Sequence, residues 1–197
     1  VASLGSYAEI FFRNVRASGV VPQISVIMGP CAGGAVYSPA ITDFVIMVDK
    51  TAHMFITGPE VIKTVTNEVV SFEDLGGAMT HASKSGVSHF TADSDDAAIQ
   101  LARDLCDMFP SNNMDRAPIR KTSDSPDRSC DALTELIPED TNKPYDVTDV
   151  VREVLDDGGF LEVQADYAMN IVCGFGHLAG HTVGVVANQP KVLAGCL

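Results

Sequence analysis

Two adjacent glycines, Gly33 and Gly34, sit where a backbone could do chemistry. They follow Pro22-Gln-Ile-Ser-Val-Ile-Met28, a short apolar run rich in β-branched residues and bounded by proline and glycine, which reads as an interior strand. Gly29-Pro30 stops that strand, and Ala35-Val-Tyr-Ser-Pro-Ala-Ile41 reads as a helix start. A glycine lacks Cβ, so it adopts φ > 0 without strain and lets a ligand approach the main chain. At the start of a helix the N–H groups lack partners and the dipole is positive, so an oxyanion is welcome there. On these residues alone the pair either hosts an anion or only permits close packing. The spacing is not that of a dinucleotide fingerprint, and no phosphate-binding lysine follows. A β-branched residue at position 34 is expected to distort such an elbow.

The flanking elements form an α/β pattern with a largely buried sheet. Residues 3 to 18 read as a helix, with Leu4, Tyr7, Ile10, Phe11 and Val15 as its apolar stripe. Phe44-Val-Ile-Met-Val48 and Ala52 to Thr57 read as strands. Pro59 suits the start of a helix running through Thr66. Ser71-Phe-Glu-Asp74 resembles a capping box before Gly76-Gly77. His81 and His89 fall among Thr80, Ser83, Ser85 and Ser88, which reads as a polar surface loop. Asp93 or Ser94 caps a helix with Ala98, Leu101, Ala102, Leu105, Met108 and Phe109 on one face, and Pro110 ends it.

Residues 110 to 145 turn polar and proline-rich, as an inter-domain linker would. Asp146 then caps a second amphipathic helix carrying Val147, Val150, Val151, Val154 and Leu155. Phe160–Val163 and Ala168–Cys173 read as strands, and His177-Leu-Ala-Gly180 as a turn into Thr182–Ala187, the last two forming a hairpin.

The chain has 197 residues and a formal charge of −13, which disfavours nucleic acid and anionic membrane surfaces. No eighteen-residue apolar run is present, and Val1 to Val20, with Glu9, Arg13 and Arg16, is not a secretory leader. Without an initiating methionine and with an apolar end at Leu197, the chain reads as an internal piece of a longer protein. Five cysteines, none in a C-x-x-C pair, predict free thiols and no metal.

Gly29-Pro-Cys-Ala-Gly-Gly-Ala-Val-Tyr-Ser-Pro-Ala-Ile-Thr-Asp-Phe44 resembles the signature of the carboxyltransferase (β) subunit of biotin-dependent acyl-CoA carboxylases, of the propionyl-CoA carboxylase type. Ser18–Ser25, His53–Pro59, Leu75-Gly-Gly-Ala78 and Gly184–Pro190 agree, in order and over nearly the whole chain. The resemblance implies a crotonase-like fold of repeated β-β-α units. Residues 1–115 would be the C-terminal part of an N-terminal, acyl-CoA-binding domain, residues 116–145 a linker, and residues 146–197 the beginning of a C-terminal carboxyltransferase domain. It makes Gly33 and Gly34 an oxyanion hole for the acyl-CoA thioester and places Ala32 and Ala35 beside the substrate. A second such pair, facing biotin, would lie beyond Leu197.

The implied reaction moves a carboxylate from carboxybiotin to the α-carbon of a short acyl-CoA, propionyl-CoA to methylmalonyl-CoA above all. Biotin would ride on a partner carrier domain and could itself take the α-proton, and no His, Glu or Lys lies within six residues of Gly33. Implied partners are a biotin carboxylase/biotin carboxyl carrier α subunit and further copies of the chain in a hexamer, in the cytoplasm or the mitochondrial matrix. A methylmalonyl-CoA decarboxylase or a transcarboxylase would share the signature. A degenerate scaffold subunit and a crotonase-type hydratase are the other classes. The intact glycine pair speaks against the first, and the lack of a carboxylate near the elbow against the second.

Overall fold

In the computed structural model, residues 2–140 and 142–196 are described, with side chains from Gly5 onward. Two compact units form, Val1–Arg116 and Ala117–Leu197.

The first unit opens with helix α1 (Ala2–Ala17). Its inward face is Tyr7, Phe11 and Asn14, at spacings of four and three residues. This corrects the expected stripe: Ile10 is 45% exposed and Val15 66% exposed, while Leu4 lies outside the described side chains. The register is set by a polar residue. Asn14 donates to the Gln23 side chain at 2.8 Å, its carbonyl accepts from Gln23 Nε2 at 3.0 Å, and its Oδ1 accepts from Ser38 at 2.8 Å.

Strands β1 (Ile24–Ile27), β3 (Phe44–Val48) and β5 (Phe90–Ala92) make a parallel sheet in the order β1-β3-β5. Ile24 pairs with Phe44, and Ile46 with Phe90. The central strand is buried on both faces, with Ile46 and Met47 at 0% exposure, which is why its sequence is uninterrupted and apolar rather than alternating. Helix α6 (Asp95–Met108) packs on this sheet with Ala98 and Leu105 buried, and Ser94 caps it by accepting from the Ala97 N–H at 3.2 Å.

A second, two-stranded parallel sheet pairs β2 (Pro30–Ala32) with β4 (His53–Phe55). Between β2 and β3 the chain makes a 3-10 turn, Gly33–Val36, and a short helix α2 (Tyr37–Ala40). After β4 come α3 (Pro59–Thr66), α4 (Phe72–Gly76), the single turn α5 (Ala78–Thr80) and a π-helical turn, His81–Ser85. Ser71 caps α4 as its sequence suggests, accepting from the Asp74 N–H.

The polar loop expected around the two histidines is instead built into the fold. The His89 N–H donates to the Val45 carbonyl at 2.9 Å, and its Nδ1 accepts from the Val45 N–H at 3.0 Å, so the ring stands in for a ladder partner at the mouth of β3 and β5. Phe44 lies edge-on to it with ring centroids 5.5 Å apart. Burial pushes the His89 pKa below its ordinary value of 6.5, which keeps Nδ1 an acceptor.

The second unit begins with an irregular stretch through the expected linker, holding one short helix, α7 (Leu133–Leu136). It is tied down rather than loose. The Arg120 N–H donates to the Gly180 carbonyl at 2.8 Å, and Arg128 donates to the carbonyls of Glu153 and Leu155 at 2.6 and 3.2 Å, capping the C-terminus of α8 (Val147–Val154). Strands β6 (Phe160–Val163), β7 (Ile171–Leu178) and β8 (His181–Asn188) form an antiparallel sheet. The hairpin turn is narrower than expected, only Ala179 (φ 49°) and Gly180 (φ 79°), and His177 lies in the strand, buried. Both turn N–H groups donate to the Asp156 carboxylate, at 2.9 and 2.7 Å.

Asp146 caps α8. Its Oδ1 accepts from the Thr148 N–H at 3.0 Å, the Thr148 hydroxyl, and Gln189 Nε2 at 2.8 Å, while Lys191 lies 3.4 Å from Oδ2. The Thr148 hydroxyl, then Gln189, hold its pKa down, from 3.8 to about 2.

Two predictions follow from these groups. A histidine with a depressed folded pKa is neutral when folded and takes a proton on unfolding. Its contribution is therefore whole above 6.5 and lost as pH falls below that value. Denaturant midpoints at pH 8 and pH 5 should differ, and His89→Asn, which keeps an acceptor but cannot titrate, should reduce the difference. Asp146→Ala should cost about 1 kcal/mol at neutral pH, in the range for a lost N-cap. The wild-type advantage should fade as pH falls from 3.8 through about 2, where the folded carboxylate protonates. Denaturant titration of both proteins at pH 7 and pH 2.5 reads this out.

Candidate active site

Gly33 is the pivot of the elbow. Ala32 ends β2 in extended conformation (φ −127°, ψ 156°), and the next residue must reverse the chain into the 3-10 turn. Gly33 does this at φ +64°, in the left-handed region that favours glycine. Gly34 is not in that region. A Cβ built on it meets only the Tyr7 ring, at 3.8 Å, an ordinary contact. The expectation that a β-branched residue at 34 distorts the elbow through positive φ is thus corrected: that constraint belongs to position 33.

Helix α1 holds the elbow from one side. Tyr7 lies against Gly34, Phe11 meets the Tyr37 ring edge-on at 6.2 Å, and Asn14 holds Ser38. The β2–β4 ladder holds it from the other, with Ala32 level with Phe55. Within the turn, the Cys31 thiol donates to the Ala35 carbonyl at 3.4 Å, and burial pushes the Cys31 pKa up, which keeps the proton on sulfur. Of the expected substrate-side residues, Ala32 is exposed at the end of β2 and Ala35 is half-buried inside the turn.

Directly beyond the turn lies an apolar cleft of about 390 Å³, walled by Val36, Tyr37, Met54, Ile56, Leu75 and His81 among others. Tyr37 and His81 are the titratable groups on its described wall. Both ring nitrogens of His81 are engaged, with Ser85 and the Met54 carbonyl, so this wall offers no general base with a free nitrogen. A wider, charged cavity of about 690 Å³ in the second unit is lined by Arg128, Arg152, Asp149 and Glu153, but its arginines already serve main-chain carbonyls and carboxylates. Among the described residues, no cluster of three His, Cys, Asp or Glu side chains is placed to hold a metal.

The chain as a whole matches known proteins. A family model described as the carboxyl transferase domain matches residues 1–197. The chain belongs to this carboxyl transferase family. It is 59% identical over 197 residues to the propionyl-CoA carboxylase, carboxyltransferase subunit, of Haloferax mediterranei, aligning all of this chain with 38% of that protein. It is 56% identical over the same length to the methylmalonyl-CoA decarboxylase subunit alpha of Veillonella parvula, covering 39% of it. Transcarboxylase 12S, solved as a hexamer assembly with methylmalonyl-coenzyme A and methylmalonic acid bound, matches with a TM-score of 0.94 at 51% identity, over 99% of this chain and 38% of that one. The chain therefore spans about two fifths of the length of these relatives. The expected crotonase-like α/β fold is the observed one.

In this carboxyl transferase chain the apolar runs mark the strands and the glycines mark the elbow, but the groups that brace it carry no such mark. Asn14 is polar inside an apolar helical pattern, Cys31 is a lone thiol, and His81 has no partner nearby in sequence except Ser85. Their signal is positional and emerges only when α1, β4 and the π turn are in place.

The two glycines should separate on mutation. Gly33→Ala forces a Cβ into left-handed backbone and should cost about 1–2 kcal/mol. Gly34→Ala should cost less than 1 kcal/mol, since its φ is ordinary and its Cβ finds space. Equal losses in denaturant titration would show that packing, not backbone conformation, makes position 33 glycine.

Proposed function

We propose that the chain is part of the carboxyltransferase component of a biotin-dependent acyl-CoA carboxylase, and that Gly33 and Gly34 form the oxyanion hole for the acyl-CoA thioester. The observation that carries this reading is the left-handed turn at Gly33, which starts a helical turn at the edge of an apolar cleft. Removing a proton α to a thioester drives negative charge onto the carbonyl oxygen. The first N–H groups of a helical turn have no partner within it, and fixed donors aimed at that oxygen lower the barrier without reorganising. The apolar wall of Val36, Ile56 and Leu75 would exclude water around the developing charge, strengthening those hydrogen bonds.

Biotin carried on a partner supplies the carboxylate and a base for the α-proton. This chain's residues would bind and orient the thioester and hold its charge, which agrees with a cleft wall whose one histidine is already engaged. The substrate favoured is a short acyl-CoA, propionyl-CoA to methylmalonyl-CoA, on the 59% identity to a propionyl-CoA carboxylase subunit. The 56% identity to a methylmalonyl-CoA decarboxylase subunit favours a second reading, decarboxylation of the same product on the same elbow.

In this reading residues 1–115 end an acyl-CoA-binding domain, 116–145 connect, and 146–197 begin a second carboxyltransferase domain. The whole protein would assemble as a hexamer with a biotin carboxylase/carrier subunit, in the cytoplasm or the mitochondrial matrix. Ala32 and Ala35 would flank the thioester.

The test is Gly33→Ala in the full-length protein with its biotin-bearing partner, assayed for carboxylation of propionyl-CoA and, separately, for decarboxylation of methylmalonyl-CoA. Misaiming an oxyanion donor should lower turnover about 10²–10³-fold with the oligomer intact. Near-normal turnover in an intact oligomer would show that the pair only packs. Activity of the wild type in the second assay alone would decide for the decarboxylase.

A further inference from the structure

The elbow is braced by a series of contacts, part hydrogen bonds and part strand pairing, that ends at a histidine outside it. In β4 the His53 N–H bonds the Gly29 carbonyl at 3.3 Å, and His53, Met54 and Phe55 pair with Pro30, Cys31 and Ala32. Alternate residues of a strand bond toward one neighbour, so the Met54 carbonyl faces the other edge of β4. Among the described residues that edge carries no third strand, only an isolated antiparallel bridge between His53 and Gly77. His81 Nε2 meets the Met54 carbonyl there at 2.7 Å. A carbonyl only accepts, so Nε2 carries the proton. Nδ1 is then the acceptor, and Ser85 Oγ, 2.8 Å away, donates to it.

Three features make this contact specific. Gly76 lies so close that a Cβ there would fall 2.2 Å from the Met54 oxygen, so the carbonyl is reachable only because position 76 is bare. His81 opens a π-helical turn, a rare irregularity that recurs at functional sites. On the β2 side, Met54 is level with Cys31, whose thiol reaches over the turn to the Ala35 carbonyl. The path thus runs from Ser85 through His81 and Met54 to Cys31 and Ala35, and His81 and Met54 both line the cleft.

We propose that His81 is a positioning residue for the elbow: by holding the Met54 carbonyl it fixes β4, and through the β2–β4 ladder the aim of the Gly33-Gly34 turn toward the substrate oxygen. His81 touches no reacting atom in this role. The inference rests on the oxyanion-hole reading of the two glycines, and its test separates the two.

Hydrogen exchange of the wild type, His81→Gln and His81→Leu comes first and needs no substrate. Gln retains an amide donor near the place of Nε2, and Leu does not. Exchange of the 31–36 segment should quicken in His81→Leu and stay near wild type in His81→Gln, with β1 and β3 unchanged in both. In the full-length protein with its partner, His81→Leu should lower kcat for carboxylation by about 10–100-fold, the cost of an ångström-scale misplacement. KM should move less than about threefold, because substrate contacts remain. His81→Gln should recover most of the loss. Unchanged exchange at 31–36 in His81→Leu would overturn the brace. Normal kcat in that variant, in an intact oligomer of an active wild type, would overturn its role in turnover. So would a loss shared equally by the Gln and Leu variants. A wild type with no carboxylation or decarboxylation activity would instead count against the oxyanion-hole reading, leaving the exchange result to judge the brace.

Discussion

A chain that leaves an extended strand and starts a helix at once needs one residue in a conformation most side chains resist. Here that residue is Gly33, at φ +64°, and the rest of the first unit is arranged around its reversal. β2 is only three residues long and exposed on two of them, so it cannot hold the turn alone. It is held by β4 on one side and by α1 on the other, through contacts of different kinds: a parallel ladder, an aromatic face against a bare glycine, and an asparagine that fixes the register. The apolar sheet β1-β3-β5 and helix α6 supply the rigid floor.

Those two classes of contact differ in how visible they are in sequence. The floor was legible because burial writes a pattern. β3 is an unbroken apolar run, α6 a repeating stripe behind a serine cap, and α3 starts at its proline. The elbow's existence was legible from its glycines, and the second unit's hairpin from a glycine-containing turn at 177–180, wider than the two residues that make it. The braces were not, nor was β5 at the edge of the floor. β2 and β5 are three residues each, too short for any period to show. Asn14 and His89 matter through partners nine and forty-four residues away, and one polar residue among apolar ones carries no sign of which it will meet. The exposed Ile10 and Val15 show the reverse error: an apolar side chain at helical spacing is no proof that its face is covered.

The acidity of the chain reads differently once its residues are placed. A formal charge of −13 suggests a solvated surface, yet several carboxylates hold the second unit together. Asp146 caps a helix and holds Gln189, Asp156 takes both N–H groups of the hairpin turn, and Asp124 accepts from the Asp157 N–H and pairs with Arg128. The Asp157 N–H first, then Arg128, hold the Asp124 carboxyl below its ordinary range. Each acts at short range on main-chain donors that would otherwise lack partners. This is the one use of surface charge that salt screens little, because the partner is a fixed dipole in contact rather than a distant ion.

The same logic explains why the elbow is built from backbone. A side-chain donor aimed at a developing oxyanion must lose rotamer freedom each time it acts, whereas an N–H fixed by a turn has lost it on folding. The cost moves into the fold, as a left-handed turn that calls for glycine, a Met54 carbonyl on the edge of β4 away from β2 and a glycine at 76 that admits a histidine to that edge. Each is mildly unfavourable alone, and each is tolerated because a neighbour compensates it: Gly33 by having no Cβ, the Met54 carbonyl by His81, the π turn by the Ser85–His81 bond. A site whose donors cannot move must have its geometry set by such second contacts, and they lie in the parts of the chain where periodicity was silent.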